Sequence, residues 1–303
     1  MKNFFKFSKL VQFLIFIFKI ENFIIFISKF SSIFTKALPP PNFYKKKTFK
    51  KIKRDEVIFY VDISDYMQWY LFANISDNSW LHAYNCLKNK SRFNVIDIGS
   101  NIGAFTLKLA KKCYENKKEF NIYSFEPNKH IFKTFENNIN LNYNLSNYIN
   151  YFEKAVGDSN SAVDFLLNKE NSGGSRIKNN SSELISQKNS LTVEQIKLDD
   201  FIEINNINFV DFIKIDVEGF EPFVLDGSKR TLEKFKPDLY IEISPAWFHE
   251  LGRSSADLLN SLESMGYVIF VDRNDSLRRL NEYDKMCNVK QFNILAKYSK
   301  HKI

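Results

Sequence analysis

Residues 95–106 read Val-Ile-Asp-Ile-Gly-Ser-Asn-Ile-Gly-Ala-Phe-Thr, an apolar run that breaks into an acidic, glycine-bearing turn and then into a helical pattern. Glycine is scarce in this chain, with 9 in 303 residues, so Gly99 and Gly103 directly after a strand-like run are informative. Glycine permits positive φ and close backbone approach. The helix that begins near Ile102 would point its free N–H groups at whatever occupies the turn. We therefore expect a nucleotide-like ligand at this turn.

Strand-like and helix-like segments alternate on both sides of the turn. Strands are predicted at 57–63, 94–98, 121–125, 150–156, 209–215 and 239–243, and helices at 78–89, 104–114, 129–142 and 256–265. Short apolar strands separated by helices are typical of a mostly parallel sheet that helices cover on both faces. The predicted fold class is therefore α/β, doubly wound and Rossmann-like.

Four of the predicted strand ends carry carboxylates: Asp97, Glu126, Asp216 and Glu242. Ligands of such sheets bind outside the carboxyl ends of the strands, so we expect these four side chains to converge. Glu126 lies 126 − 103 = 23 positions after Gly103. In this architecture an acidic side chain that accepts hydrogen bonds from a ribose follows at an offset of roughly 20 residues. The spacing predicts a ribose-bearing cofactor.

The composition of the turn separates the candidate cofactors. The dinucleotide fingerprint requires G-x-G-x-x-G, whereas this chain has Asn101 in place of the second glycine. This substitution disfavours close approach of a pyrophosphate, and Asp97 beside the turn suits a cationic amine better than a diphosphate. S-adenosylmethionine carries such an amine. An NAD-dependent Rossmann oxidoreductase stays the alternative enzyme class, and a non-catalytic membrane adaptor that retains the fold is the third class.

The motifs together resemble the FkbM-type methyltransferases of the class I S-adenosylmethionine-dependent superfamily, over about residues 57–298. The matching stretches are 95–103, 125–127, 155–158, 172–175, 196–200 and Ile213-Lys-Ile-Asp-Val-Glu-Gly-Phe-Glu221. The family usually has Ala where this chain has Ser100. The resemblance implies a seven-stranded sheet with a C-terminal antiparallel hairpin, here 267–272 and 292–297. It also implies an O-methyltransferase that acts on a hydroxyl of a saccharide, glycolipid or related metabolite.

The resemblance assigns the cofactor contacts position by position. It implies that the turn holds the methionine moiety, that Glu126 holds the ribose hydroxyls, that Val156 and Asp158 flank the adenine, and that Asp216 faces the sulfonium. The turn residues concerned are Asp97, Gly99, Ser100, Asn101 and Gly103. For Asp158 the alternative is a hairpin turn. For Gly219 and Gly227 the alternative to a role at the site is backbone geometry alone.

Methyl transfer to a hydroxyl requires in-line positioning and removal of a proton. Asp216 and Glu218 are the first candidates for the general base or for positioning the acceptor, and Glu242 and His249 are the second. Alternatives are a salt bridge or helix start for Glu218 and a surface helix position for His249. A divalent ion bound by these four residues is a further alternative, but the expected site contains no metal.

A polar segment interrupts the core pattern between residues 168 and 190, where Asn, Ser, Lys and Gly are frequent. Strand-like runs at 163–167 and 191–198 flank it, so it is at least a surface loop. We expect it to cover the acceptor pocket, with Ser172, Ser175 and Arg176 touching the substrate. Arg176 would then orient an acidic acceptor.

The net charge of +8 is concentrated at one end of the chain. Residues 1–54 carry 13 basic residues against Glu21 alone, which gives 13 − 1 = +12, so the rest carries 30 − 34 = −4. A slightly acidic body is a poor match to a polyanion, and a nucleic-acid partner is therefore not expected. The predicted organisation is an apolar, basic segment at 1–38, a Pro/Lys-rich linker at 39–56 and the methyltransferase domain at 57–298.

The segment 1–38 is predicted to form a membrane-surface helix. Its longest uncharged stretch, 10–18, is too short to cross a bilayer. Lys2, Lys6 and Lys9 share one helical face, which suits anionic lipid. Docking on protein and export or insertion remain alternatives, although no A-x-A-like cleavage site follows.

The cysteines favour a reducing compartment. Cys86, Cys113 and Cys287 are far apart in the sequence and show no metal-ligand spacing. The predicted location is cytoplasmic, peripheral on the cytoplasmic membrane face.

Overall fold

The computed structural model describes residues 2–28, 35, 37–75, 77–168, 171–177, 190–273, 276–281 and 291–299. Cys287, residues 178–189 and residues 29–34 and 36 of the predicted apolar segment lie outside this set. The chain divides into two compact units. The first contains Met1–Asp77 and Asn168–Gly173, and the second contains Asn78–Leu167 and Gly174–Ile303.

The described residues of the first unit include three α-helices and a β-hairpin. Its elements are α1 (Lys2–Phe18), α2 (Glu21–Ser28), β1 (Phe49–Arg54), β2 (Val57–Asp62) and α3 (Tyr66–Phe72). The hairpin is antiparallel, and Val57, Phe59 and Val61 on β2 are fully buried. Within the described residues, no helix is both long and apolar enough to cross a membrane.

The predicted linker at 39–56 contains the whole of β1. Its Pro/Lys-rich composition indicated a linker, but residues 49–54 pair with β2 and bury Ile52 between exposed lysines.

The second unit carries the large sheet. Its helices are α4 (Ser79–Leu87), α5 (Ala104–Glu115), α6 (Lys129–Leu141), α7 (Leu198–Ile204), α8 (Glu221–Asp226), α9 (Lys229–Phe235), α10 (Pro245–Glu250) and α11 (Ser255–Ser264). Its strands are β3 (Arg92–Ile98), β4 (Glu119–Phe125), β5 (Ile149–Phe152), β6 (Ala155–Val156), β7 (Ser161–Leu166), β8 (Arg176–Ile177), β9 (Ser190–Ile196), β10 (Phe212–Ile215), β11 (Asp238–Ile243), β12 (Tyr267–Arg273), β13 (Ser276–Arg279) and β14 (Phe292–Tyr298).

The large sheet has the order β13-β12-β14-β11-β10-β3-β4-β5. The strands from β11 to β5 are parallel, and β14, β12 and β13 are antiparallel to their neighbours. The predicted doubly wound fold and the predicted pairing of 267–272 with 292–297 are confirmed. The described sheet has an eighth strand because β13 pairs with β12 at the edge. All four residues of β13 are exposed, so no apolar pattern marked it.

A second difference from the predicted fold is a smaller sheet of four strands, ordered β6-β9-β7-β8. The single strand predicted at 150–156 is two short strands, with β5 in the large sheet and β6 in the small one. The chain turns between them, where the backbone N–H of Lys154 donates to the carbonyl of Phe152.

The strand order fixes where a ligand can bind. From β3 the chain moves outward through β4 to β5 and later returns to β10 on the other side of β3. The crevice at such a switch point, outside the carboxyl ends of the strands, is the usual binding site in this architecture. Asp97 and Asp216 lie near the ends of the two strands that border it.

Candidate functional site

The glycine turn after β3 is held by close backbone contacts. Gly99 has a φ of +82°, and a Cβ there would lie 1.8 Å from the carbonyl oxygen of Asp216. The N–H groups of Gly99 and Ser100 both donate to the carbonyl of Phe125 at 3.0 Å. Gly103 has a φ of +84° and precedes α5 directly. The two glycines therefore let the turn close against β4 and β10, and α5 begins immediately after it.

Glu126 holds the middle of this turn. Its Oε2 accepts from the backbone N–H of Asn101 at 3.0 Å, and its Oε1 accepts from the backbone N–H of Asn128 at 2.9 Å. Asn101 has a φ of +50°, a left-handed conformation that Asn tolerates better than most residues. Each oxygen of an ionised carboxylate has room for a second donor. Glu126 can therefore bind the turn and two further hydroxyls together.

Burial raises the pKa of Glu126 to about 7, although its two backbone hydrogen bonds and Lys214 oppose this shift. The carboxylate is 7% exposed. A ligand that offers hydroxyl donors stabilises the ionised form.

A row of polar side chains crosses the three central strands beneath the turn. Lys214 on β10 is in register with Asp97 on β3, and Asp97 is in register with Ser124 on β4. The Lys214 ammonium lies 3.5 Å from Asp97 Oδ1, 3.1 Å from Asp216 Oδ2 and 3.2 Å from the carbonyl oxygen of Gly99. Its side chain is 6% exposed. Lys214 thus links the turn to the strand-end carboxylate.

Asp97 lies entirely below the surface of the crevice. It is 0% exposed, and its Oδ2 accepts from the hydroxyl of Thr106 at 2.6 Å. Burial raises the pKa of Asp97, while Lys214 and Thr106 lower it. Direct contact with a cofactor would require these contacts to open. The role of Asp97 toward the methionine moiety stays a prediction, and its observed contacts support the turn from beneath.

The loop after β10 presents two carboxylates and is shaped by a third. Glu221 is fully buried and accepts from the backbone N–H groups of Val217 (2.9 Å) and Gly219 (3.0 Å). These bonds hold Glu218 at a φ of +54°, which is uncommon for a residue other than glycine. The side chain of Asp216 is 40% exposed. A positive φ at a residue other than glycine, as at Glu218, is backbone strain that is often retained at functional sites.

Three of the four predicted catalytic candidates come together. Asp216, Glu218 and Glu242 each have an oxygen within 4.8 Å of the others. Burial and Asp216 raise the pKa of Glu218 to about 8, and burial together with Asp216 and Glu218 raises the pKa of Glu242. Such a cluster offers a base to a hydroxyl or oxygen ligands to a cation.

His249 lies outside this cluster. It is exposed in the last turn of α10, as the surface-position alternative predicts. The preceding Trp247 faces inward instead. A Cβ on Gly219, whose φ is +100°, would lie 2.4 Å from the Cβ of Trp247. Gly219 therefore serves backbone geometry, and it lets α10 pack close to the loop that carries Glu218.

Arg176 lies beside the carboxylates. Its guanidinium carbon lies 4.0 Å from the centroid of the Trp247 ring, and its charge lowers the pKa of Glu218. Ser175 next to it is buried. A guanidinium stacked on an indole face makes its hydrogen bonds in its own plane. The predicted substrate contacts of Ser175 and Arg176 remain predictions, with Arg176 next to a candidate base.

Ser172 belongs to the first unit and has a structural contact there. Its backbone N–H and its hydroxyl donate to Asp65, at 2.6 and 3.0 Å, and Asp65 also caps the N-terminus of α3. These bonds anchor Ser172 to Asp65. Its predicted contact with substrate stays a prediction.

Val156 and Asp158 lie where the small sheet begins. Val156 is 2% exposed, and Asp158 is exposed in the bend before β7. Gln195 reaches this bend and donates to the hydroxyl of Ser159 at 2.9 Å and to Asp158 at 3.4 Å. A Cβ on Gly227 would lie 1.9 Å from the carbonyl oxygen of Gly157, which explains that glycine by close backbone approach. Adenine contact at Val156 and Asp158 stays a prediction.

Sequence reasoning gave no role to Lys214, Glu221 or Trp247. The available signal for Lys214 was a lysine inside Phe212-Ile-Lys-Ile215, a run that is otherwise apolar. A buried lysine is costly unless it is paired, so its position in a central strand pointed to facing carboxylates. Glu221 accepts from backbone N–H groups two and four residues earlier, whereas Trp247 acts through contacts distant in the sequence and gave no comparable signal.

The sheet order, the glycine turn and the carboxylates around it define a Rossmann-like α/β protein with a ligand site at the switch point of the sheet. The family model "Methyltransferase FkbM domain" matches residues 97–269, more than half of the chain. The chain belongs to the FkbM methyltransferase family.

Two curated relatives and one solved structure are similar to this chain. "Methyltransferase 1" of Beauveria bassiana is 28% identical over 199 residues, which cover 60% of this chain and 74% of the relative. "2-O-methyltransferase NoeI" of Sinorhizobium fredii is 28% identical over 183 residues, which cover 56% of this chain and 72% of the relative. The crystal structure of the methyltransferase FkbM from Methylobacillus flagellatus matches with a TM-score of 0.41 at 17% identity. That match covers 87% of this chain and 53% of the solved chain. This chain therefore spans about half the length of the solved one.

Proposed function

We propose that this protein transfers a methyl group from S-adenosylmethionine to a hydroxyl group of a saccharide, glycolipid or related metabolite. One observation carries the cofactor assignment: the Glu126 carboxylate binds the backbone of the glycine turn and retains lone pairs for hydroxyl groups. A ribose supplies two such groups. The family and the relative named as a 2-O-methyltransferase support the reaction class.

The charges around the crevice favour a cationic cofactor over a dinucleotide. Asp216, Glu218 and Glu242 lie together at one side of it, and one buried ammonium, that of Lys214, faces Asp216. A bound sulfonium would favour the ionised form of these carboxyl groups, whereas a pyrophosphate would oppose it. The methyl group of S-adenosylmethionine is electrophilic because it is bonded to this sulfonium. These charges argue against the NAD-dependent alternative.

Glu218 is the carboxylate best suited to take the acceptor proton. A general base works best when its pKa is close to the operating pH, and the pKa of Glu218 is about 8. A positive charge bound next to it would lower that pKa and favour the ionised form. The Lys214 ammonium lies 3.1 Å from Asp216 Oδ2. Asp216 is therefore better suited to orient the acceptor than to remove its proton. Arg176 beside Glu218 would hold an oxygen of the acceptor.

The proposal is tested by methyl transfer from isotopically labelled S-adenosylmethionine to a panel of hydroxylated saccharides and glycolipids. We expect S-adenosylhomocysteine to form and the labelled methyl group to appear on an acceptor oxygen. Glu218→Gln should lower kcat by about a hundredfold. Glu233→Gln, an exposed position on α9, is the matched control and should leave kcat unchanged. Cofactor binding without transfer to any hydroxyl would instead support the non-catalytic adaptor.

A further inference from the structure

Helix α1 presents an uninterrupted apolar stripe to solvent. Leu10, Phe13, Leu14, Ile17 and Phe18 are 43–67% exposed. Their spacing of i, i+3, i+4, i+7 and i+8 places all five on one face of the helix. Isolated exposed apolar residues are ordinary on protein surfaces, but a contiguous stripe usually marks a contact surface.

This stripe is distinct from the packed face of the same helix. Ile15 is 3% exposed, and the ring of Phe16 makes edge contacts with Phe43 and Tyr44 at centroid distances of 6.0 and 5.5 Å. Packing against residues 41–44 therefore fixes which side of α1 faces outward. Helix α2 repeats the pattern, with Ile24 and Ile25 buried and Phe23 and Phe26 exposed. The exposed apolar residues of α1 and α2 together are named the apolar stripe below.

The charges around the stripe indicate what it contacts. Lys9 and Lys19 are exposed at the two ends of the part of the stripe on α1, and further exposed lysines follow at 45–47, 51 and 53. Glu21 is the one acidic residue among the first 54, and it is 3% exposed, where Tyr44 and Lys50 donate to it. The accessible charge of this segment is thus positive. Apolar side chains bordered by lysines fit the acyl boundary and the phosphate groups of an anionic bilayer.

A second copy of the chain fits this surface less well. A twofold dimer would place the same surface on both partners, so the two lysine-bordered segments would repel each other. We propose that the apolar stripe docks the protein on the surface of an anionic lipid bilayer, with α1 lying parallel to the membrane plane. This inference is independent of the proposed methyl transfer.

The test is flotation of the full chain with phosphatidylcholine vesicles that contain or lack phosphatidylglycerol. We expect binding to the anionic vesicles, and we expect Phe13→Ser/Leu14→Ser/Ile17→Ser to weaken it by about tenfold or more because three apolar side chains lose their burial in lipid. Ile204→Ser, at a 77% exposed position in the second unit, is the matched control and should bind like the wild type. Lys9→Glu/Lys19→Glu should weaken binding at low salt, with a smaller effect at high salt.

Melting curves of each variant confirm folding, which these exposed substitutions should preserve. Equal binding by the triple-serine variant, or no binding by the wild type, would overturn the proposal. The proposal would also be overturned if the wild type is a dimer and the triple-serine variant is a monomer that binds vesicles equally well. That outcome would assign the stripe to a second copy.

Discussion

Lys214 is the residue on which the electrostatics of the crevice depend most. Its ammonium lies within 3.5 Å of oxygens from Asp97, Asp216 and Gly99, and it lowers the pKa of Asp97, Glu126 and Glu218. Burying a lysine in a central strand is costly, and these oxygens offset that cost. The lysine keeps negative charge available where a cationic cofactor binds.

We expect Lys214→Met to lower the free energy of unfolding by about 3–5 kcal/mol, because Asp97 loses its buried cationic partner. In protein that remains folded, the acidic limb of the kcat profile should move to higher pH. Lys214→Arg retains the charge and should recover much of both properties. Urea unfolding and pH–rate profiles measure the two effects, and a Lys214→Met profile equal to that of the wild type would refute the electrostatic role.

The two glycines Gly99 and Gly252 give a matched pair of substitutions. Both have positive φ, but a Cβ on Gly99 meets the backbone of Asp216 at 1.8 Å, whereas a Cβ on Gly252 meets nothing within 4 Å. Gly99→Ala should therefore cost more than about 4 kcal/mol of unfolding free energy, and Gly252→Ala about 1 kcal/mol. Thermal and chemical unfolding measure both. Equal costs would mean that the turn does not need its close approach to β10.

Among the secondary-structure elements, α3 and Ser172 share a polar anchor in Asp65. Asp65 accepts from the N–H of Gln68 through Oδ1 and from the N–H of Ser172 through Oδ2. Asp65→Asn keeps one acceptor oxygen for the helix cap but replaces the other with an amide donor. Asp65→Ala removes both acceptors.

We expect amide hydrogen exchange at Ser172 to accelerate in both Asp65 variants, since both lose the acceptor for its N–H. The N-terminal turn of α3 should be destabilised in Asp65→Ala alone, by about 1 kcal/mol. Unchanged hydrogen exchange at Ser172 in both variants would show that contacts other than Asp65 protect its N–H.

The strands and helices of the second unit were largely predictable, because apolar runs and 3.6-residue periodicity follow directly from burial. The exposed strand β13 and the short break between β5 and β6 have no such signature. At the site, the glycine turn, Glu126 and the strand-end carboxylates were predictable from spacing. The Lys214–Asp97 pair required the strand register, and the position of Trp247 required the packing of α10, so neither could be obtained from local sequence.

The buried carboxyl groups give the protein as a whole a pH dependence of definite sign. Burial raises the pKa of Glu126 to about 7 and those of Glu218 and Glu221 to about 8, from an ordinary value of 4.5. Between about pH 4.5 and 8 the folded state therefore binds more protons than the unfolded state. The free energy of unfolding should fall as the pH rises through this window and level off above it.

Urea unfolding at intervals across this window measures the slope. Glu221→Gln removes one of these titrating groups and should give a shallower slope, whereas Glu233→Gln, at an exposed position, should leave the slope unchanged. A stability that rises with pH over the same window would contradict the assignment of these carboxyl groups.

The central claim is that the glycine turn and Glu126 form a binding site for S-adenosylmethionine. Calorimetric titration of the full chain with S-adenosylmethionine, S-adenosylhomocysteine and NAD tests it directly, with Glu126→Ala as the site variant and Glu233→Ala as the exposed control. The account predicts saturable binding of the first two ligands, a loss of affinity of at least about tenfold in Glu126→Ala alone, and no binding of NAD. Binding of NAD alone, or equal affinity for S-adenosylmethionine in both variants, would contradict it.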